Sequence, residues 1–221
     1  HRAIKANDGD LFISGGVENM TRGPLVISKA SKAFGRDSKM FDSSFGWRFI
    51  NPLLDKLYGT DSMGTTAENL VSKYSISRED QDIFAYNSQM KASLSQSNGI
   101  FEQEIVKVVI PQRKKENIIF DKDEFIKPNT SVEILSKLRA AFKKDGSVTA
   151  GNSSGLNDGA AAMLLSSEKG LKKFNLKPKA KIISSAVVGV EPKIMGVGPV
   201  YASIKALNKA KLNLDDMDVI E

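Results

Sequence analysis

The sequence predicts an α/β protein in which parts of two βαβ layers flank an inserted α+β loop region. Three observations lead there. Short, purely apolar runs such as Leu11-Phe12-Ile13 and Ala160-Ala161-Ala162-Met163-Leu164-Leu165 have the length and continuity of buried strands. Strand-like and helix-like segments alternate after residue 160, the pattern of a parallel sheet with right-handed crossovers. Between residues 20 and 66 periodicity disappears and turn residues crowd in, which marks an insertion rather than a layer.

Taken in order, residues 1–7 read as the end of a helix and 10–16 as a short strand ending in a Gly15-Gly16 turn. Gly23-Pro24, Gly35, Gly46, Asn51-Pro52 and Gly59-Thr60-Asp61 punctuate the insertion. Phe34, Phe41, Phe45, Trp47 and Phe49 are expected to pack it on itself. One helix is predicted over 66–74. Ser77 with Asp80 three residues later can satisfy free amides at a helix start, so a second helix opens there and continues on Ile83, Phe84, Met90 and Leu94 until Asn98-Gly99. A strand over 105–110, closed by Pro111, is expected to pair with 118–120 across the basic turn Arg113-Lys114-Lys115. A short helix follows over 131–138. Residues 147–159 are small and turn-forming, and feed a strand at 160–165. After it come a helix at 168–174, a strand at 180–188, a helix at 200–211 and the start of a strand at Val219-Ile220.

Composition narrows the chemistry. The 221 residues are 41% hydrophobic and 26% charged, a balance that supports a folded core and excludes disorder. There is no Cys, so no thiolate nucleophile, disulfide or cysteine metal site. The single histidine is His1, a terminal residue poorly placed for an oriented base, so Ser-His-Asp and Cys-His catalysis within this chain are excluded. No apolar stretch approaches the ~18 residues of a membrane span. Thirty-two Lys and Arg against 26 Asp and Glu leave +6, which favours phosphate-bearing partners without choosing among them. The first residue is not Met and no signal-like segment follows, so a processed chain or a piece of a longer one is expected.

Most candidate sites have a plainer reading. Gly196-Val197-Gly198-Pro199 lacks the third glycine of a dinucleotide fingerprint, and a turn with Pro at a helix start is favoured. Asp121, Asp123 and Glu124 lack the spacing of a calcium loop. The clusters Arg113-Lys114-Lys115 and Lys143-Lys144 fit solvated faces better than phosphate sites. The aromatics around Trp47 are not interleaved with cations as base-stacking residues are, so nucleic-acid binding is the weaker reading. The 147–159 run divides evenly between a chain of tight turns and a backbone that lets a ligand approach.

Five segments stand in the order seen in thiolases: Gly15-Gly16-Val17-Glu18-Asn19-Met20, Met63-Gly64-Thr65-Thr66-Ala67-Glu68-Asn69, Ser77-Arg78-Glu79-Asp80-Gln81-Asp82, Val148-Thr149-Ala150-Gly151-Asn152-Ser153-Ser154-Gly155-Leu156-Asn157-Asp158-Gly159-Ala160-Ala161 and Met195-Gly196-Val197-Gly198-Pro199. The chain resembles the thiolase family over essentially its whole length. Phe45-Gly46-Trp47-Arg48-Phe49-Ile50-Asn51-Pro52 further resembles the 3-oxoadipyl-CoA branch.

That resemblance implies a thiolase-like fold: the end of the first core half at 1–17, a loop domain for coenzyme binding and oligomerisation at 18–147, and at 148–221 the rest of that half with the start of the second. It implies acyl transfer from 3-oxoacyl-CoA to CoA, with CoA as substrate and no separate cofactor. The family's nucleophilic Cys, activating His and second Cys have no counterpart here, so no catalytic residue and no metal ligand is assigned. By resemblance Ser154 and Ala150 touch pantetheine, Phe142 packs near the adenine, and Lys127 stands near the nucleotide. Leu54 and Met63 line the tunnel, and Ser62 replaces the His that short-chain members often carry before this Met. Arg48 is the candidate cation for a substrate carboxylate. The implied partners are coenzyme A thioesters within a homodimer or homotetramer, with no nucleic acid and no membrane, in the cytoplasm. An acetoacetyl-CoA thiolase, or a free-standing CoA or nucleic-acid binding module, remains the alternative.

Overall fold

The computed structural model describes residues 1–221, which fold as two compact units, one formed by residues 1–60 with 156–221 and the other by 61–155. The first unit begins with α1 (Arg2–Lys5), β1 (Leu11–Glu18), the short hairpin β2 (Leu25–Ile27) and β3 (Met40–Asp42), and α2 (Pro52–Tyr58). The second contains α3 (Met63–Tyr74), α4 (Arg78–Ser97), the hairpin β4 (Val108–Ile110) and β5 (Ile118–Phe120), and α5 (Val132–Ser136). The chain returns to the first unit with β6 (Gly159–Ser166), α6 (Glu168–Phe174) and α7 (Gly198–Ala210).

In the first unit β1 pairs with β6 from Leu11↔Ser166 to Glu18↔Gly159. The pair is antiparallel, where a parallel sheet was expected. The parallel rule governs strands joined by one crossover helix, whereas the whole 61–155 unit lies between these two in sequence. The strand also continues through Gly15-Gly16 instead of turning there, because Gly15 faces Ala162 and Gly16 faces Ala161, small partners that let the backbones stay in register. Just beyond the strand, the Thr21 hydroxyl and amide both donate to the Asp158 carboxylate, at 2.6 and 3.0 Å, and hold its pKa below the ordinary carboxylate value.

The expected aromatic cluster does not form. Phe41 and Phe49 meet ring to ring, edge-on with centroids 5.3 Å apart, while Phe34, Phe45, Trp47 and Phe49 are exposed. The insertion is held instead by short polar links: the Ser44 hydroxyl donates to the Met20 carbonyl at 2.7 Å, and the Ser44 amide to Asp42 Oδ1 at 2.8 Å. The strands expected at 180–188 and 219–220 form no ladder. In the first of these segments the backbone is tied to α7: Lys205 Nζ donates to the Val187 carbonyl, Lys209 Nζ to that of Ser185, and the Ser184 hydroxyl to that of Ala206. The Val187 and Ser185 carbonyls thus bond lysine side chains instead of a neighbouring strand.

Helix starts in the second unit follow the caps. Ser62 caps α3, which therefore begins three residues before the predicted start. Ser77 caps α4 and exchanges bonds with Asp80, and Ser131 caps α5. The apolar positions used to predict α4 do not mark its buried face, since Ile83, Phe84 and Leu94 are exposed and Asp82 is the residue it buries. That face meets α5 through polar groups. Leu135, Val148, Thr149, Gly64, Thr66, Glu68 and Asp82 are the buried residues around which this unit is built.

Candidate functional site

The 147–154 segment lies at the centre of the 61–155 unit and is organised by short polar side chains. Thr149, fully buried, has its amide held by Asn152 Oδ1 at 2.7 Å, while its own Oγ1 accepts from the Gly151 and Asn152 amides at 3.2 and 3.3 Å. The Ser153 hydroxyl donates to the Thr149 carbonyl. Thr, Asn and Ser favour such turns because their short side chains reach the nearby backbone. On the upstream side the Ala141 amide donates to the Val148 carbonyl at 2.9 Å, and Ala140 bridges to Thr149.

Two buried carboxylates anchor this turn to the helices. Glu68 Oε1, on α3, accepts the amides of Ser147 and Val148, each at 2.8 Å. Asp82, on α4, accepts Asn152 Nδ2 at 2.9 Å and Arg78 Nε at 2.8 Å. Arg78 Nη2 reaches on to the carbonyls of Leu135 and Leu138, and so ties α4 to the end of α5. Gln81 Nε2 adds a bond to the Ser147 hydroxyl.

Ala150 and Ser154 are exposed on this anchored segment, and no intramolecular hydrogen bond occupies the Ser154 hydroxyl. Phe142 follows the strip that bridges to Thr149, and its ring lies on Gly64, beside Met63 at the start of α3. Lys127 Nζ stands 5.9 Å over the Phe125 ring, and that ring lies against Gly155, the residue after Ser154. The Lys127 amide is fixed by Gln89 Oε1 at 2.8 Å. Ser62 carries the α3 cap, with its Oγ accepting from the Thr65 amide at 3.3 Å. Six of the eight predicted residues thus belong to this unit.

Arg48 and Leu54 belong to the other. Arg48 is exposed and donates from Nη1 to the Gly46 carbonyl at 2.7 Å, leaving its remaining donors toward solvent. Leu54 sits in the first turn of α2, where Asn51 Oδ1 accepts its amide at 3.4 Å and that of Leu53 at 2.9 Å. None of the eight lines the cavity of about 220 Å³ bounded by Gln96, Phe101, Ile105, Lys107 and Asp121. There Asp121 is paired with Lys107 at 3.2 Å.

Sequence reasoning gave no role to Glu68, Asp82 or Phe125. Both acids stand inside recognised segments, but on predicted helices a charge reads as a solvated position. Only the partners, 79 and 70 residues away in sequence, reveal them as buried.

The Gly64–Phe142 contact makes a prediction. A Cβ at residue 64 would lie 2.0 Å from the Phe142 ring, so Gly64→Ala must swing the ring away and is expected to destabilise the unit by about 1–3 kcal/mol, as overpacking does. Urea unfolding of the variant checks this, and unchanged stability would mean that the ring moves freely.

Comparison with known proteins gives the family. Residues 1–169 match the thiolase N-terminal domain and residues 176–221 the thiolase C-terminal domain. The chain is 52% identical over 220 residues to a beta-ketoadipyl-CoA thiolase of Acinetobacter baylyi. It is 50% identical to the 3-oxoadipyl-CoA/3-oxo-5,6-dehydrosuberyl-CoA thiolase of Escherichia coli. In both cases 100% of this chain covers 55% of the relative, so the chain spans about half the length of the curated relatives it matches. Among solved structures, human mitochondrial 3-ketoacyl-CoA thiolase superposes with a TM-score of 0.85 at 37% identity, over 99% of this chain and 54% of that one. The Bacillus anthracis acetyl-CoA acetyltransferase gives 0.83 at 38%, over 98% and 54%. With both domains of the family matched in order along it, the chain belongs to the thiolase family.

Proposed function

We propose that this chain is the coenzyme-binding central portion of a thiolase that cleaves 3-oxoadipyl-CoA with CoA to acetyl-CoA and a shortened acyl-CoA. The observation that carries this reading is the anchored 147–154 segment. It presents Ala150 and an uncommitted Ser154 hydroxyl, with Phe142 and Lys127 held in the same unit. A turn whose polar groups are otherwise engaged holds its shape and leaves the Ser154 hydroxyl for pantetheine, whose two amides need hydrogen-bonding partners and whose chain needs close backbone approach. The beta-ketoadipyl-CoA names of the relatives near 50% identity support the substrate, and Arg48 is the cation assigned to its distal carboxylate. The complete protein is proposed to act in the cytoplasm as a homodimer or homotetramer on CoA thioesters.

The reaction needs a thiolate to attack the 3-oxo carbon, release acetyl-CoA and pass the acyl group to a second CoA. With no Cys and only His1, this chain does not supply the nucleophile or its base. Its own residues bind and orient the thioester, leaving the covalent steps to groups outside it.

The test has two arms. The chain alone is expected to show no thiolysis of acetoacetyl-CoA above a no-protein control. In the full-length protein, Ser154→Leu is expected to weaken CoA binding by roughly ten-fold or more, from a lost polar contact and added bulk in a close-fitting channel. Calorimetric titration of CoA reads it, and unchanged affinity would remove 147–154 from the coenzyme site.

A further inference from the structure

We infer that Glu68 is a positioning residue for the coenzyme segment, setting the backbone from which Ala150 and Ser154 are presented; the inference rests on the coenzyme reading just proposed. Glu68 is 3% exposed, and no lysine or arginine pairs with it. A buried carboxylate oxygen is costly unless it accepts hydrogen bonds, and here the Ser147 and Val148 amides converge on Oε1 at 2.8 Å each. The dependence runs both ways. Oε1 keeps both bonds only while both amides point at it, so the direction of the chain entering Thr149 and Ala150 is tied to the position of α3.

A second observation shows that the arrangement leaves no slack. A Cβ on Gly146 would lie 2.3 Å from Glu68 Oε1, so the residue just before the two donors must lack a side chain for the carboxylate to sit there. Asp82 acts differently. It divides its bonds between Arg78 and Asn152, and therefore braces α4 and α5 as well as the turn. Glu68 makes its bonds only to the backbone of the ligand segment. Loss of Glu68 should therefore disturb binding geometry more than global stability.

The experiment uses the full-length protein with the variants Glu68→Gln, Gly146→Ala and Ser154→Leu. Glu68→Gln keeps the shape but replaces the charged acceptor. It is expected to raise the KM for CoA in thiolysis about ten-fold while kcat stays within a few-fold, the pattern of lost uniform binding. Hydrogen exchange at the Ser147 and Val148 amides should quicken while other slow amides of residues 61–155 keep their rates. Should Glu68→Gln fold poorly, Gly146→Ala reaches the same contact from the other side and should raise the same KM. A fall in kcat at constant KM, or unchanged exchange at those two amides, would make Glu68 a purely structural residue and overturn the inference. An unchanged KM in both Glu68→Gln and Gly146→Ala beside a weakened Ser154→Leu overturns this inference alone. Unchanged CoA affinity in Ser154→Leu overturns the coenzyme reading and the inference with it.

Discussion

Asp82→Ala is expected to destabilise the 61–155 unit by about 3–5 kcal/mol, the range for removing one partner of a buried ion pair. The Asp82 side chain is 2% exposed and that of Arg78 27%. With the carboxylate gone, Arg78 Nε and Asn152 Nδ2 both lose an acceptor. The guanidinium is also fixed by the Leu135 and Leu138 carbonyls, at 2.6 and 3.1 Å, and cannot simply turn to water without releasing α5. Removing both charges should cost less than removing the carboxylate alone, because no unpaired cation remains. Urea unfolding of Asp82→Ala and of Arg78→Met with Asp82→Leu measures the difference. A loss below about 1 kcal/mol for Asp82→Ala would put the pair among ordinary surface ion pairs.

In the full-length protein, Arg48→Ala is expected to lower kcat/KM for 3-oxoadipyl-CoA by roughly ten-fold to a hundred-fold, as for losing ~1.5–3 kcal/mol from a charge-assisted hydrogen bond. The distal carboxylate of that substrate must reach water or meet a cation, since burying it unpaired is prohibitive. Arg48 spends one donor on the Gly46 carbonyl, a bond that steadies the side chain while leaving the rest of the fork for a carboxylate. Acetoacetyl-CoA, with no distal charge, serves as the control and should be nearly unaffected. Equal losses on both substrates would assign Arg48 to holding the 46–48 turn, and no loss on either would leave it in solvent.

The parts legible in the sequence were those decided within a few residues. Ser77 with Asp80, Asn98-Gly99 at the end of α4 and Pro199 in the first turn of α7 follow from local capping and turn chemistry, and the structure has each; the strand expected over 105–110 does pair with 118–120, but only from Val108 to Ile110. Apolar patterning misled where no dense core enforces it. Ile83 and Phe84 carry the helical spacing of α4 yet are exposed, the residue it buries being Asp82, and of the aromatics expected to pack on one another Phe34, Phe45, Trp47 and Phe49 are exposed.

By itself the sequence determined the family, through ordered runs such as 148–161, and the chemistry that cannot occur within the chain, through the missing Cys and the lone His1. Tertiary structure alone decided that β1 and β6 run antiparallel, and that Glu68 and Asp82 are anchors rather than surface charges. Whether a carboxylate is solvated or buried depends on the donors that reach it. For Glu68 and Asp82 those donors include groups 70 to 80 residues away along the chain, a separation at which sequence spacing carries no geometry and only folding brings donor and acceptor to 2.8 Å and 2.9 Å.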